Sequence, residues 1–121
     1  MTAAYATIAI QAPDIPASRF IGLLVDSNGK ASAWVELIAQ TKIKMLLEDA
    51  LDWVESVGGT LATTAVMQLL IARQMPDLIK GNHWVSGGAA GAYVNTQNGY
   101  LGDLPDLRAR FAIAVRYHLI A

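Results

Sequence analysis

The chain has 121 residues, 54% of them hydrophobic and only 16% charged, with a formal net charge of -1 and no cysteine. That length makes one domain, residues 1–121, able to bury a core unaided. The missing cysteine excludes disulfides, thiolate nucleophiles and cysteine-held metals, and the balanced charge argues against a general binder of nucleic acid or of anionic membranes. The charged fraction falls below the roughly 25% usual in soluble domains, which points to an oligomer that hides part of its surface.

The first basic residue is Arg19, so no secretory signal is expected, and no apolar run reaches the roughly 18 residues that span a bilayer. A cytoplasmic or virion setting is the expectation. Residues 3–11 read as a strand covered on both faces, ended by a connector that holds Pro13 and Pro16. A second strand, Phe20 to Val25, stops at Asp26-Ser-Asn-Gly-Lys30, where Asn28-Gly29 signals a turn. A hairpin into Ala33 to Ile38 follows from that signal. A helix starting near Ser32 competes with it, because short apolar runs are ambiguous by periodicity.

From Thr41 to Val57 apolar residues recur at three and four, which predicts a helix capped by Thr41 and stopped by Gly58-Gly59. A second, more apolar helix is predicted from about Thr60 to Met75, where Pro76 ends it. The short glycine link makes the two an antiparallel hairpin. A helix apolar over most of its circumference is either central in its domain or part of a subunit contact. Beyond Gly81 the composition turns to glycine, asparagine and tyrosine. Trp84-Val85 and Ala92 to Val94 read as short strands, with turns at Asn95 to Gly99 and Gly102 to Asp106. The last stretch, Leu107 to Leu119, alternates strictly, with apolar odd positions and Arg108, Arg110, Arg116 and His118 among the even ones. This is a long strand with one buried and one polar face. It belongs in a sizeable sheet or reaches past its own subunit.

Glu48, Asp52 and Glu55 share one helix face, and Arg108, Arg110 and Arg116 share one strand face. A solvated surface accounts for each set alone; as a pair they are candidates for a subunit contact, where opposite charges set register and partner choice. The glycines of residues 87–91 lack a phosphate-loop pattern, and the two histidines make no metal signature. Ser86, with a histidine and an aspartate, lacks the elbow motif of a hydrolase. No catalytic residue, cofactor or metal is assigned.

The order strand, helix, strand gives an α+β fold: a mostly antiparallel sheet, containing the N- and C-terminal strands, with the helix hairpin (about 41–57 and 60–75) packed on one face. The leading functional reading is a non-enzymatic homo-oligomeric assembly protein, whose partners are copies of itself and other structural proteins. The alternative is a small-molecule-binding domain or enzyme. Its pocket would lie between sheet and helices under residues 82–102, with His83, Ser86, Tyr93 and Asp52 as candidates. In its acidic turn, Gly102-Asp-Leu-Pro-Asp106, before a final alternating strand, Arg108 to Leu119, the chain resembles small virion proteins of tailed bacteriophages, the head–tail connection and tail-completion subunits that form rings. The resemblance covers the last 20 or so residues, rests on architecture without a diagnostic motif, and carries over no site residue.

Overall fold

The computed structural model describes residues 15–16, 19–75, 77–86, 92–102 and 109–120. The strand expected over 3–11 and all but the first residue of the turn expected over 102–106 lie outside the described residues; Gly102 itself is in a strand. Within them the fold is α+β. In chain order the elements are β1 (Phe20–Val25), β2 (Ala31–Gln40), α1 (Leu47–Ser56), β3 (Thr60–Leu61), α2 (Thr64–Ala72), β4 (Asn82–Trp84), β5 (Tyr93–Asn95), β6 (Leu101–Gly102) and β7 (Ile113–Leu119). The larger antiparallel sheet has the order β1-β2-β7-β3, and the smaller the order β4-β5-β6.

β1 and β2 form the hairpin that Asn28-Gly29 signals. The Asp26 carboxylate accepts from the amides of Asn28 and Lys30, both at 2.9 Å, and Gly29 sits at φ 78°. A left-handed residue is open to glycine, whereas a side chain there costs roughly 1–2 kcal/mol. Residues 32–40 are strand, because β1 pairs with β2 on one side and β7 on the other.

β7 is the centre of the molecule. β2 pairs with it from Ala33 opposite Leu119 to Gln40 opposite Ile113, and β3 pairs with Val115 and Ala114 on its other side. Upstream the line continues. Met45 and Arg110 exchange backbone bonds of 2.8 and 2.9 Å, while across from them Trp84 donates to Phe111 O at 2.9 Å and Phe111 donates to Asn82 O at 3.0 Å. These bonds tie the small sheet to the large one, and the described part of the long strand stays inside its own subunit's sheet.

The alternation along β7 assigns it one polar face, but Ala112, Ile113, Ala114 and Val115 are all fully buried. Ile113 and Val115 join Ile21, Val35, Val66, Met67 and Leu70 in one core; Ala112 and Ala114 join Ala50, Val54, Leu61 and Trp84 in another. Successive strand residues point to opposite faces, so α1 and α2 pack on opposite faces of the sheet. This corrects the expected helix hairpin on one face. The link through Gly58-Gly59 does not turn straight back into a helix; it becomes the edge strand β3. Gly59 runs so close to β7 that a Cβ there would lie 2.9 Å from Val115 O. The chain therefore passes along the sheet's edge and delivers α2 to the far side.

Both helices are shorter than the periodicity predicts. α1 begins at Leu47 because residues 41–45 are drawn out along the β7 line: the Thr41 amide donates to Ala112 O at 3.0 Å, and the Thr41 hydroxyl accepts from the Ala112 amide at 3.0 Å. Thr41 is thus a strand partner and not a cap. α2 begins after Thr63, whose hydroxyl accepts from the Val66 amide at 3.2 Å as an N-cap.

Candidate functional site

Glu48, Asp52 and Glu55 lie exposed on α1, as their spacing predicts. Arg108 lies outside the described residues. Arg110, by contrast, is only 4% exposed: its guanidinium carbon stands 3.7 Å from the Tyr93 ring centroid and 4.8 Å from that of Trp84. A desolvated cation on an aromatic face is worth about 2 kcal/mol, and here it fastens β4 and β5 to the β7 line. Arg116 is exposed and donates to Gly58 O at 3.1 Å, just past the end of α1. Arg110 and Arg116 thus share with α1 one side of the sheet in a single subunit, and Arg110 is withdrawn from the surface.

The other four candidates do not converge. His83 is fully buried, with its ring tilted against Phe111 at 5.4 Å and its Nδ1 3.0 Å from Gly81 O. Burial lowers its pKa from 6.5, and the bond to Gly81 draws it part of the way back. Tyr93 is occupied by Arg110 and lies over Gly102, where any Cβ would meet its ring atoms. Asp52 is on the wet side of α1. Ser86 opens onto a cavity, and its hydroxyl donates to Leu61 O at 3.1 Å.

That cavity, about 500 Å³, sits at the β3 edge of the large sheet. Leu51, Val54 and Glu55 of α1 form one wall, and Gly59, Thr60 and Leu61 form the floor. Thr63, Ser86 and Tyr117 complete the lining. It exists because β3 is only two residues long and leaves the end of β7 uncovered by any described strand. The Tyr117 hydroxyl is buried and finds no hydrogen-bond partner of good geometry among the described residues. Burial pushes its pKa up from 10.0, while the neighbouring Thr63 hydroxyl pulls it back in part. Tyr117 therefore stays neutral across the physiological range. Thr60, Thr63 and Tyr117 carried no sequence signal for a site; they meet only through the topology.

A second feature faces outward. α2 carries no charged residue and exposes Ala65, Gln68 and Ala72. Against it stands the turn between β5 and β6, where a Cβ on Gly99 would lie 4.0 Å from Gln68 Oε1. Asn95 braces that turn. Its Oδ1 accepts from the amides of Gln97 and Asn98 at 2.9 and 3.3 Å, and its Nδ2 donates to Asn82 Oδ1 at 2.8 Å. Beyond the turn Tyr100 is 59% exposed and Leu101 52%.

The described residues form a small α+β fold with a cavity at the β3 edge and an uncharged outer face on α2. Compared with protein-family profiles, with curated proteins and with solved structures, the chain finds no match. No helix among the described residues is long and apolar enough to cross a membrane.

Proposed function

We propose that the chain is a non-enzymatic homo-oligomeric assembly protein, and that a virion is the setting its last residues' resemblance suggests. The observation that carries this reading is the charge-free outer face of α2, continuous with a braced turn that presents Tyr100 and Leu101. An aromatic and a leucine held on a rigid turn lose little freedom on docking, which is what makes such residues effective anchors. With no charge on α2 to match, the face suits a surface of its own kind: a second copy of the chain.

The contact differs from the charge pairing that the sequence alone favours. Arg110 supports the interior and is withdrawn from such a pairing with Glu48, Asp52 and Glu55. Size-exclusion chromatography with light scattering, at micromolar protein and at low and high salt, tests the reading. The expected result is a closed oligomer whose mass holds in high salt, because apolar burial is not screened, and a monomer for the double variant Gln68→Glu, Leu101→Asp. A wild-type monomer at every concentration would overturn the proposal. An oligomer that salt dissociates would move the contact to the acidic face of α1.

A further inference from the structure

Between Thr41 and Met45 the chain makes an outward bulge whose two ends are pinned to the β7 line. The Thr41 amide donates to Ala112 O at 3.0 Å, and Met45 and Arg110 exchange bonds of 2.8 and 2.9 Å. Residues 41–45 thus run alongside only 110–112, and the surplus length projects as Lys42, Ile43 and Lys44, all of them exposed. Ile43 is 69% exposed. An aliphatic side chain on a bulge anchored at both ends loses little freedom on docking.

The cavity beside β3 has the opposite character. Leu51, Val54 and Leu61 give it apolar side chains, and its volume of about 500 Å³ has room for an aliphatic one from outside. Its α1 wall belongs to an acidic helix: Glu55 lines the cavity, Glu48, Asp49 and Asp52 are exposed on earlier turns, and α1 holds no basic residue. Against these carboxylates stands Arg116, which donates to Gly58 O just before the floor. The balance at the rim is negative and favours a cationic visitor. None of the α1 carboxylates, nor Lys42 nor Lys44, is in an ion pair with a described residue.

We infer that the cavity receives the Lys42-Ile43-Lys44 bulge of a second copy of the chain. Ile43 enters against Leu51, Val54 and Leu61, and the two lysines flank it, facing the carboxylates of α1. A copy does not fill its own cavity. Ile43 stands in solvent ahead of α1, whereas Glu55 lies about 12 Å beyond Leu47 at 1.5 Å per residue. Each copy therefore offers one bulge and one cavity. The contact is separate from the α2 face and weak by itself, with a Kd on the order of a millimolar, because one aliphatic side chain and exposed ion pairs gain little over the cost of association. Its weight in an assembly rests on the reading above: it ties together copies that the α2 contact has already gathered, and so does not set the mass at micromolar protein.

The test is an amide-shift titration between two variants of the full chain, both carrying Gln68→Glu and Leu101→Asp so that the α2 face is out of play. The isotope-labelled chain adds Ile43→Asp, which spoils its bulge and leaves its cavity. The unlabelled chain adds Leu51→Lys, which spoils its cavity and leaves its bulge. Both changes fall on exposed residues and should keep the fold. Saturable shifts are expected at Leu51, Leu61 and Ser86 of the labelled chain, with binding weakened about threefold or more by high salt and by a further Glu55→Lys in that chain. An unlabelled partner that also carries Ile43→Asp should move none of these amides. The inference is overturned if the bulge-bearing copy moves no cavity amide, which is the outcome when a small molecule or another protein is the true occupant. It is overturned equally if the partner without Ile43 binds as well, or if neither salt nor Glu55→Lys weakens binding. The α2 contact is disabled in both proteins, so failure of the assembly reading, a wild-type monomer, is seen separately.

Discussion

His83 holds a proton on one ring nitrogen and cannot easily accept a second. Its Nδ1 faces Gly81 O at 3.0 Å, so the neutral ring donates there, and Nε2 is left buried without a partner among the described residues. Protonation would place a charge in a fully buried ring, which is why the folded-state pKa lies below the unfolded value of 6.5. The unfolded chain therefore takes up the proton first as pH falls. The stability His83 allows is complete above pH 6.5, is lost as pH falls from there through the folded value, and is constant again below it. Its slope is at most about 1.4 kcal/mol per pH unit. Urea unfolding at a series of pH values between neutral and mildly acid should show this slope in the wild-type chain and lose it in His83→Gln, which keeps a donor for Gly81 but cannot titrate. The difference between the two proteins isolates His83 from every other titrating group. Equal slopes would mean that His83 is protonated with little penalty in the fold.

At the scale of elements, the sequence discloses some features through chemistry that is local, and hides those that are decided by topology. β1 is legible because Pro16 and Asn28-Gly29 bracket an apolar run, and the bounds Phe20–Val25 match the expectation. Glycine-rich flanks point to short strands in this region, but the expected Trp84-Val85 meets the observed Asn82–Trp84 only at Trp84, and the expected Ala92 to Val94 is displaced by one residue to Tyr93–Asn95. Residues 41–45 read as helix because their periodicity continues that of α1; the bonds that hold them extended, to Arg110 and Ala112, come from the other end of the chain. The cavity was less visible still: Glu55 and Ser86 stood out for other reasons, and Tyr117 fell among the apolar positions of its strand. The costliest ambiguity was alanine. Ala112 and Ala114 fit a weakly polar strand face as well as a close-packed one, and only the position of α1 decides between them. That decision can be measured with Ala114→Leu. On a solvated face the change would stay within about 0.5 kcal/mol, whereas against Ala50, Val54 and Leu61 it overpacks a full core and should cost about 1–3 kcal/mol. The expected result is a lower urea midpoint with an unchanged slope; an unchanged midpoint would mean that α1 does not rest on β7.

For the whole molecule, the consequence is cooperativity. β7 lends alternate side chains to two cores on opposite sides of one sheet, and the residues just before it bond to the small sheet. Loosening of either core is expected to disturb the other, because Ala112 and Ala114 of one alternate with Ile113 and Val115 of the other along a single backbone. Native-state hydrogen exchange should show this directly. The amides of β2 and β7 that pair with each other should open only with global unfolding, whereas those of Gln97, Asn98 and Tyr100, which bond to exposed side-chain oxygens, should exchange fastest. The sharper test uses Ala114→Leu again, since its added carbons lie wholly on the α1 side. If β7 transmits the strain, the slowest amides of α2, Met67 and Leu70, which are fully buried on the far face, should lose protection by the same factor as those of α1. A loss confined to α1 would show that the two cores open independently. In that case the long strand would be a shared wall between two units, and the α2 face proposed for assembly would keep its stability whatever happened at the cavity.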